Sequence, residues 1–152
     1  MSEHTVNLSW KNESEDFSYK NYDRTHSWKF EGGIVVTASA APEYFGKKEF
    51  VNPEEAFAAS LASCHMLTFL ALASIKKYSV GTYEDIAVAI LEKNEKSRMA
   101  ITKLYLRPKI TFTGDTIPDE TKINELHHAA HKECFIANSV LTEIIIEPVF
   151  QY

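Results

Sequence analysis

Residues 5–10 and 26–30 alternate polar with apolar side chains, the period of a half-buried strand. Glu31-Gly32-Gly33 then interrupts the chain before the β-branched run Ile34-Val35-Val36-Thr37, and the combination predicts a hairpin. Residues 40–51, with Pro42 and Gly46, read as a loop. Asn52-Pro53-Glu54-Glu55 opens a helix: Asn52 suits the N-cap, Pro53 the first helical position, and the acidic pair the positive end of the helix dipole. This helix is expected to run to about residue 77 and to be buried on nearly all sides, because residues 56–75 contain no formal charge. Residues 86–91 and 99–113 predict two strands joined by a charged turn. In the second, Leu104, Leu106, Ile110 and Phe112 alternate with Lys103, Tyr105, Arg107 and Lys109. Pro118-Asp119-Glu120 starts a second helix whose Ile123, Leu126, Ala130 and Cys134 share a face, and residues 143–149 supply a last strand. The order β-β-β-α-β-β-α-β, with mostly antiparallel neighbours, predicts an α+β fold.

The length of 152 residues and 45% hydrophobic content suit a single domain over residues 1–152. A net charge of −5 offers no basic face to a phosphate backbone, which argues against nucleic acid as a partner. The run 56–75 reaches transmembrane length, but it is rich in Ala and Ser, carries Thr, His and Cys, and has no basic flank on its N-terminal side. A buried helix rather than a membrane span is expected. The opening Met-Ser-Glu-His shows no signal segment, so the expected compartment is the reducing cytoplasm.

Within that compartment the two cysteines, Cys64 and Cys134, carry the most chemistry. Each taken alone is more often a small core hydrophobe than a reactive group. Taken as a pair in a reducing compartment, they suggest a transient, catalytic or redox-sensing disulfide. Metal binding is the other use of cysteine: His127 and His131 at i, i+4, followed by Cys134 at i+7, place three donors on one helix, though no fourth is evident nearby.

Asn52-Pro53-Glu54-Glu55-Ala56-Phe57-Ala58-Ala59, running into Ala62-Ser63-Cys64, with a second helix bearing Cys134, resembles the OsmC/Ohr superfamily, the osmotically induced protein C and organic hydroperoxide resistance proteins. The resemblance implies an OsmC-like fold with antiparallel sheets around two helices. It also implies an intertwined homodimer with central buried helices and active sites at the interface. The implied activity is a thiol-dependent peroxidase that reduces organic hydroperoxides without a cofactor or metal and is recycled by a dithiol, of lipoyl type. Cys64 is then peroxidatic, Cys134 resolving, Glu54 the carboxylate, and an arginine the activating cation. Arg24, in Tyr22-Asp23-Arg24-Thr25-His26, lies where the resemblance places that arginine, whereas Arg98 falls in a charged turn and Arg107 on the polar side of a strand. The sequence departs from the pattern at His65, where a phenylalanine often stands, and at Phe135, where a proline often stands.

The chemistry wants these residue types. Only a thiolate attacks a peroxide oxygen at a useful rate, and burial raises a thiol pKa, so a cation must counter it. An arginine fork also stabilises the departing alkoxide. Phe57, Leu61, Met66, Phe135 and Ile136 are candidates for an apolar substrate pocket, or else plain core. Ten residues of straight helix span roughly 15 Å, so Glu54 is expected to serve the Cys64 of a second chain. The competing reading is a non-enzymatic module of the same fold that holds a lipid-like ligand, its thiols incidental.

Overall fold

The computed structural model describes residues 1–150. The chain divides into two compact units, residues 1–56 and 57–152.

In the first unit β1 (Val6–Ser9), β2 (His26–Phe30) and β3 (Val35–Ala38) form an antiparallel sheet in the order β1-β2-β3. The hairpin turns where Gly32-Gly33 predicts it, with Gly33 at φ 89, a conformation that costs a residue without Cβ little. Gly46 closes the following loop so tightly that a Cβ would sit 1.6 Å from the Ala40 carbonyl oxygen, which excludes any side chain there. Helix α1 (Pro53–Ile75) begins in this unit. Asn52 caps it reciprocally: Asn52 Oδ1 accepts from the Glu55 N–H at 2.8 Å, and the Asn52 N–H donates to Glu55 Oε2 at 3.2 Å.

The second unit contains the remainder of α1, then β4 (Ser79–Glu84), β5 (Val88–Lys93), β6 (Met99–Leu106), β7 (Lys109–Thr113), α2 (Glu120–Glu133) and β8 (Glu143–Ile146). β4 pairs with β7 antiparallel. A second sheet runs β5-β6-β8, in which β6 and β8 are parallel. Two differences from the sequence pattern have local causes. β4 is absent from the prediction because a bulge at Gly81 shifts its register, which puts the inward residues Val80 and Tyr83 three apart and hides the period of two. The predicted strand 99–113 is two strands, since Pro108 has no N–H for a ladder and breaks the run after Arg107. The break also separates the apolar side into two cores. Leu104 and Leu106 pack with Ala58 and Leu61, while Ile110 and Phe112 pack against Phe69, Ala73, Leu126 and Ala130.

α1 is buried along one stripe, Ala58, Leu61, His65, Phe69 and Ala73, at spacings of three and four. The expectation of burial on nearly all sides does not hold within one chain. Leu67 is 60% exposed, and Ala59, Ser63 and Ala71 share that open face. By length and composition α1 is apolar enough to cross a bilayer. In this chain, however, its buried stripe forms the centre of both cores.

Candidate active site

Cys64 lies near the middle of α1, half-buried, one position before a residue of the buried stripe. Cys134 does not lie inside α2 but caps it: φ −70 and ψ 115 take the chain out of the helix there. The Ala137 N–H donates to Cys134 Sγ at 3.5 Å, and the Asn138 N–H donates to the Cys134 carbonyl at 3.0 Å. These contacts fix the sulfur, which is fully buried; Cys64 lies near it, and both thiols are free. Burial is the largest cause pushing the Cys134 thiol pKa up, and the nearby Cys64 adds to it. The Ala137 N–H works in the opposite direction.

Arg24 is 8% exposed. Its Nη1 donates to the Tyr22 carbonyl at 2.9 Å and its Nη2 to the Tyr19 carbonyl at 2.5 Å, and its guanidinium lies 3.9 Å from the centroid of the Tyr22 ring. Among the described residues it has no carboxylate partner. Glu54 is complementary in that respect: its Oε2 is buried and lacks a hydrogen-bond partner. Arg24 and Glu54 thus do not pair within one chain. Arg107 binds Glu147 at 3.0 Å with both side chains well exposed, a pair worth little, and Arg98 lies exposed in its turn.

The five pocket candidates differ in their burial. Leu61 has no accessible surface and belongs to the core, Phe57 and Ile136 pack against that same cluster, Met66 is half-buried, and Phe135 is 81% exposed. The possible metal donors His127, His131 and Cys134 form no metal-binding group. The His127 ring is committed to His65, and among the described residues no three His, Cys, Asp or Glu side chains converge as a metal site.

What the sequence pattern missed is that histidine pair. His65 Nε2 and His127 Nδ1 lie 3.0 Å apart between α1 and α2, and Phe69 packs 4.4 Å from the His127 ring. The residues are 1% and 3% exposed. Desolvation depresses the His65 pKa to about 4, with the charge of His131 adding to it. The same cause, with the charge of His65, depresses the His127 pKa to about 3. Both rings are therefore neutral at pH 7. The available signal was His65 at a stripe position of an uncharged helix and His127 beside Leu126 on the inward face of the second.

A family model for OsmC-like proteins matches residues 46–148. The chain belongs to the OsmC-like family. An OsmC-like protein of unknown function from Vibrio cholerae is 45% identical to it over 98% of this chain and 100% of that one, with a TM-score of 0.94. An OsmC-like protein from Mycoplasma pneumoniae shares the fold at 16% identity, covering 99% of each chain, with a TM-score of 0.76. The organic hydroperoxide resistance protein OhrB of Bacillus subtilis shares it at 18% identity, covering 97% of this chain and 98% of that one, with a TM-score of 0.70. No curated protein matches the chain. Membership accounts for the α+β architecture of two long helices and mainly antiparallel strands.

Proposed function

We propose that this OsmC-like protein is a thiol-dependent peroxidase that reduces organic hydroperoxides in the cytoplasm. The observation that carries the reading is the nearness of the two thiols, one half-buried and one fully buried, in a chain with two cysteines in all. The distant hydroperoxide resistance relative supports it by fold.

Accessibility and acidity divide the roles. Cys64 has exposed surface, whereas Cys134 is sealed and its thiol is held protonated by burial. The Cys64 thiolate attacks the terminal peroxide oxygen; the O–O bond breaks, an S–O bond forms, and the alkoxide takes a proton to leave as the alcohol. Cys64 is then a sulfenic acid. The Cys134 sulfur displaces its hydroxyl as water and closes a Cys64–Cys134 disulfide, which prevents over-oxidation. Two electrons from an external dithiol, of lipoyl type, restore both thiols.

In this reading Arg24 supplies the cation that favours the Cys64 thiolate and Glu54 orients it. Because the two do not pair within one chain, a homodimer completes the site, the open face of α1 meeting that of a second copy. Thiol titration before and after one equivalent of cumene hydroperoxide tests the proposal. Loss of two thiols per chain, with an intramolecular disulfide, is expected. No rapid loss overturns it in favour of a ligand-binding module whose thiols are incidental.

A further inference from the structure

The His65–His127 pair has no task in this chemistry, yet one of its members lines a cavity. In the second unit a cavity of about 520 Å³ is walled by Ile110, Phe112, Ile117, Ile123 and Val149, and His127 contributes to the same wall. We propose that this cavity binds a neutral apolar molecule carrying one hydroxyl group, a phenol or an alcohol, through a hydrogen bond to Nε2 of His127. The inference does not depend on the peroxidase reading.

The first support is an unmet polar atom. His127 is 3% exposed, and its Nδ1 is spent on His65, so Nε2 is its one remaining polar atom; that atom is buried without a hydrogen-bond partner. A buried ring nitrogen left in that state keeps its desolvation penalty unmet, so a ligand that pairs with it recovers free energy.

The second support is the proton arrangement of the pair. Two neutral imidazoles joined by one hydrogen bond share one bridging proton. If His65 Nε2 donates, His127 carries its own proton on Nε2 and presents a donor. If His127 Nδ1 donates, its Nε2 is bare and presents an acceptor. A hydroxyl group donates and accepts, so it satisfies either arrangement, whereas an ether oxygen satisfies only the first.

The third support is charge. Asp119 and Glu120 also line the cavity and are exposed, so a carboxylate ligand would meet two like charges and a neutral imidazole. An ammonium group only donates, so it satisfies Nε2 in the second proton arrangement alone. A neutral head group on an apolar body remains.

Thymol, p-cymene and 4-isopropylbenzoate test the proposal as a set of alkylbenzenes with a hydroxyl, no polar head and a carboxylate. Binding is measured by calorimetry in the absence of peroxide, on the wild-type chain and on Cys64→Ser. Long-range proton–nitrogen NMR follows His127 Nε2. Thymol is expected to bind saturably and to shift that resonance, p-cymene to bind about tenfold more weakly, the magnitude of one buried hydrogen bond, and the benzoate more weakly still. Ile123→Trp, which fills the cavity from α2, is expected to abolish thymol binding. If this variant does not fold, the wild-type comparison and the nitrogen shift still decide. Absence of saturable thymol binding overturns the proposal. So does equal affinity for thymol and p-cymene, an unmoved Nε2 resonance, or thymol binding that survives in a folded Ile123→Trp.

Discussion

Lowering the pH from 7 to 5 should weaken the native state through one pair of residues. His65 and His127 titrate near 4 and 3 when folded, against about 6.5 in an unfolded chain. Between pH 6.5 and 4 the unfolded chain therefore binds protons that the native one refuses, so stability falls as the pH falls and is recovered as it rises. For one ring, the unfolded state gains about 2 kcal/mol between pH 7 and 5, and for both about 4 kcal/mol. Since both native values lie below 5, the figure rests almost wholly on the unfolded value. Asp23, held near 2 by its hydrogen bonds with Lys47 and Thr25, acts only below about pH 4, outside the window. Asp85, raised by desolvation, acts in the opposite sense, which is why a variant control is needed.

The assay is urea denaturation at fixed protein concentration at pH 7, 6 and 5, followed by circular dichroism, on the wild type and on the double variant His65→Leu with His127→Leu. The double variant is expected to lose the acid-dependent part whatever its stability at pH 7. A wild-type change below about 1 kcal/mol across the window, or a double variant with the wild-type pH slope, would refute the picture of two buried neutral rings.

Cys64→Ser is expected to abolish peroxide consumption, and Cys134→Ser to allow one turnover that leaves a sulfenic acid on Cys64 trappable by dimedone; equal activity of wild type and Cys64→Ser would end the enzyme reading. Arg24→Ala should slow the reaction of Cys64 with peroxide by roughly two to three decades, about 2–4 kcal/mol, while Arg98→Ala and Arg107→Ala change it little; three alike variants would remove Arg24 from the site. Glu54→Ala and Cys64→Ser, each inactive alone, should recover up to about a quarter of wild-type activity when refolded together, since random pairing makes half the dimers mixed with one intact site of two. No recovery, with mixed dimers shown to form, would confine Glu54 to its own chain.

The local signals in the sequence were strong where one residue decides one conformation. Gly32-Gly33 marked the hairpin, Asn52-Pro53 the start of α1, and Asp119 the start of α2, where its Oδ1 accepts from the Lys122 N–H at 2.9 Å. They were weak where an irregularity broke the period, as at Gly81, or where one apolar side served two cores, as on either side of Pro108. The nearness of Cys64 and Cys134 joins residues 70 apart in sequence, and no spacing rule reaches that far. The histidine pair escaped for a related reason: each imidazole looks like a solvated or metal-binding group until the other is brought against it.

α1 shows why a uniformly apolar helix cannot be read for burial from its own sequence. Periodicity locates a buried stripe only when the other faces are polar, and residues 56–75 carry no formal charge on any face. The fold uses the stripe from Ala58 to Ala73 and leaves Ala59, Ser63, Leu67 and Ala71 open. Small side chains there permit close approach of another helix, and Leu67 offers a knob to pack. The same helix begins with Glu54, whose buried carboxylate oxygen lacks a partner, and carries Cys64 about 15 Å further on. Two copies packed antiparallel along the open faces would cover the apolar surface and move each Glu54 toward the middle of the other helix. One such arrangement would meet both a packing need and an electrostatic need that a single chain leaves unmet, and this is why the mixing experiment reads out assembly and chemistry together.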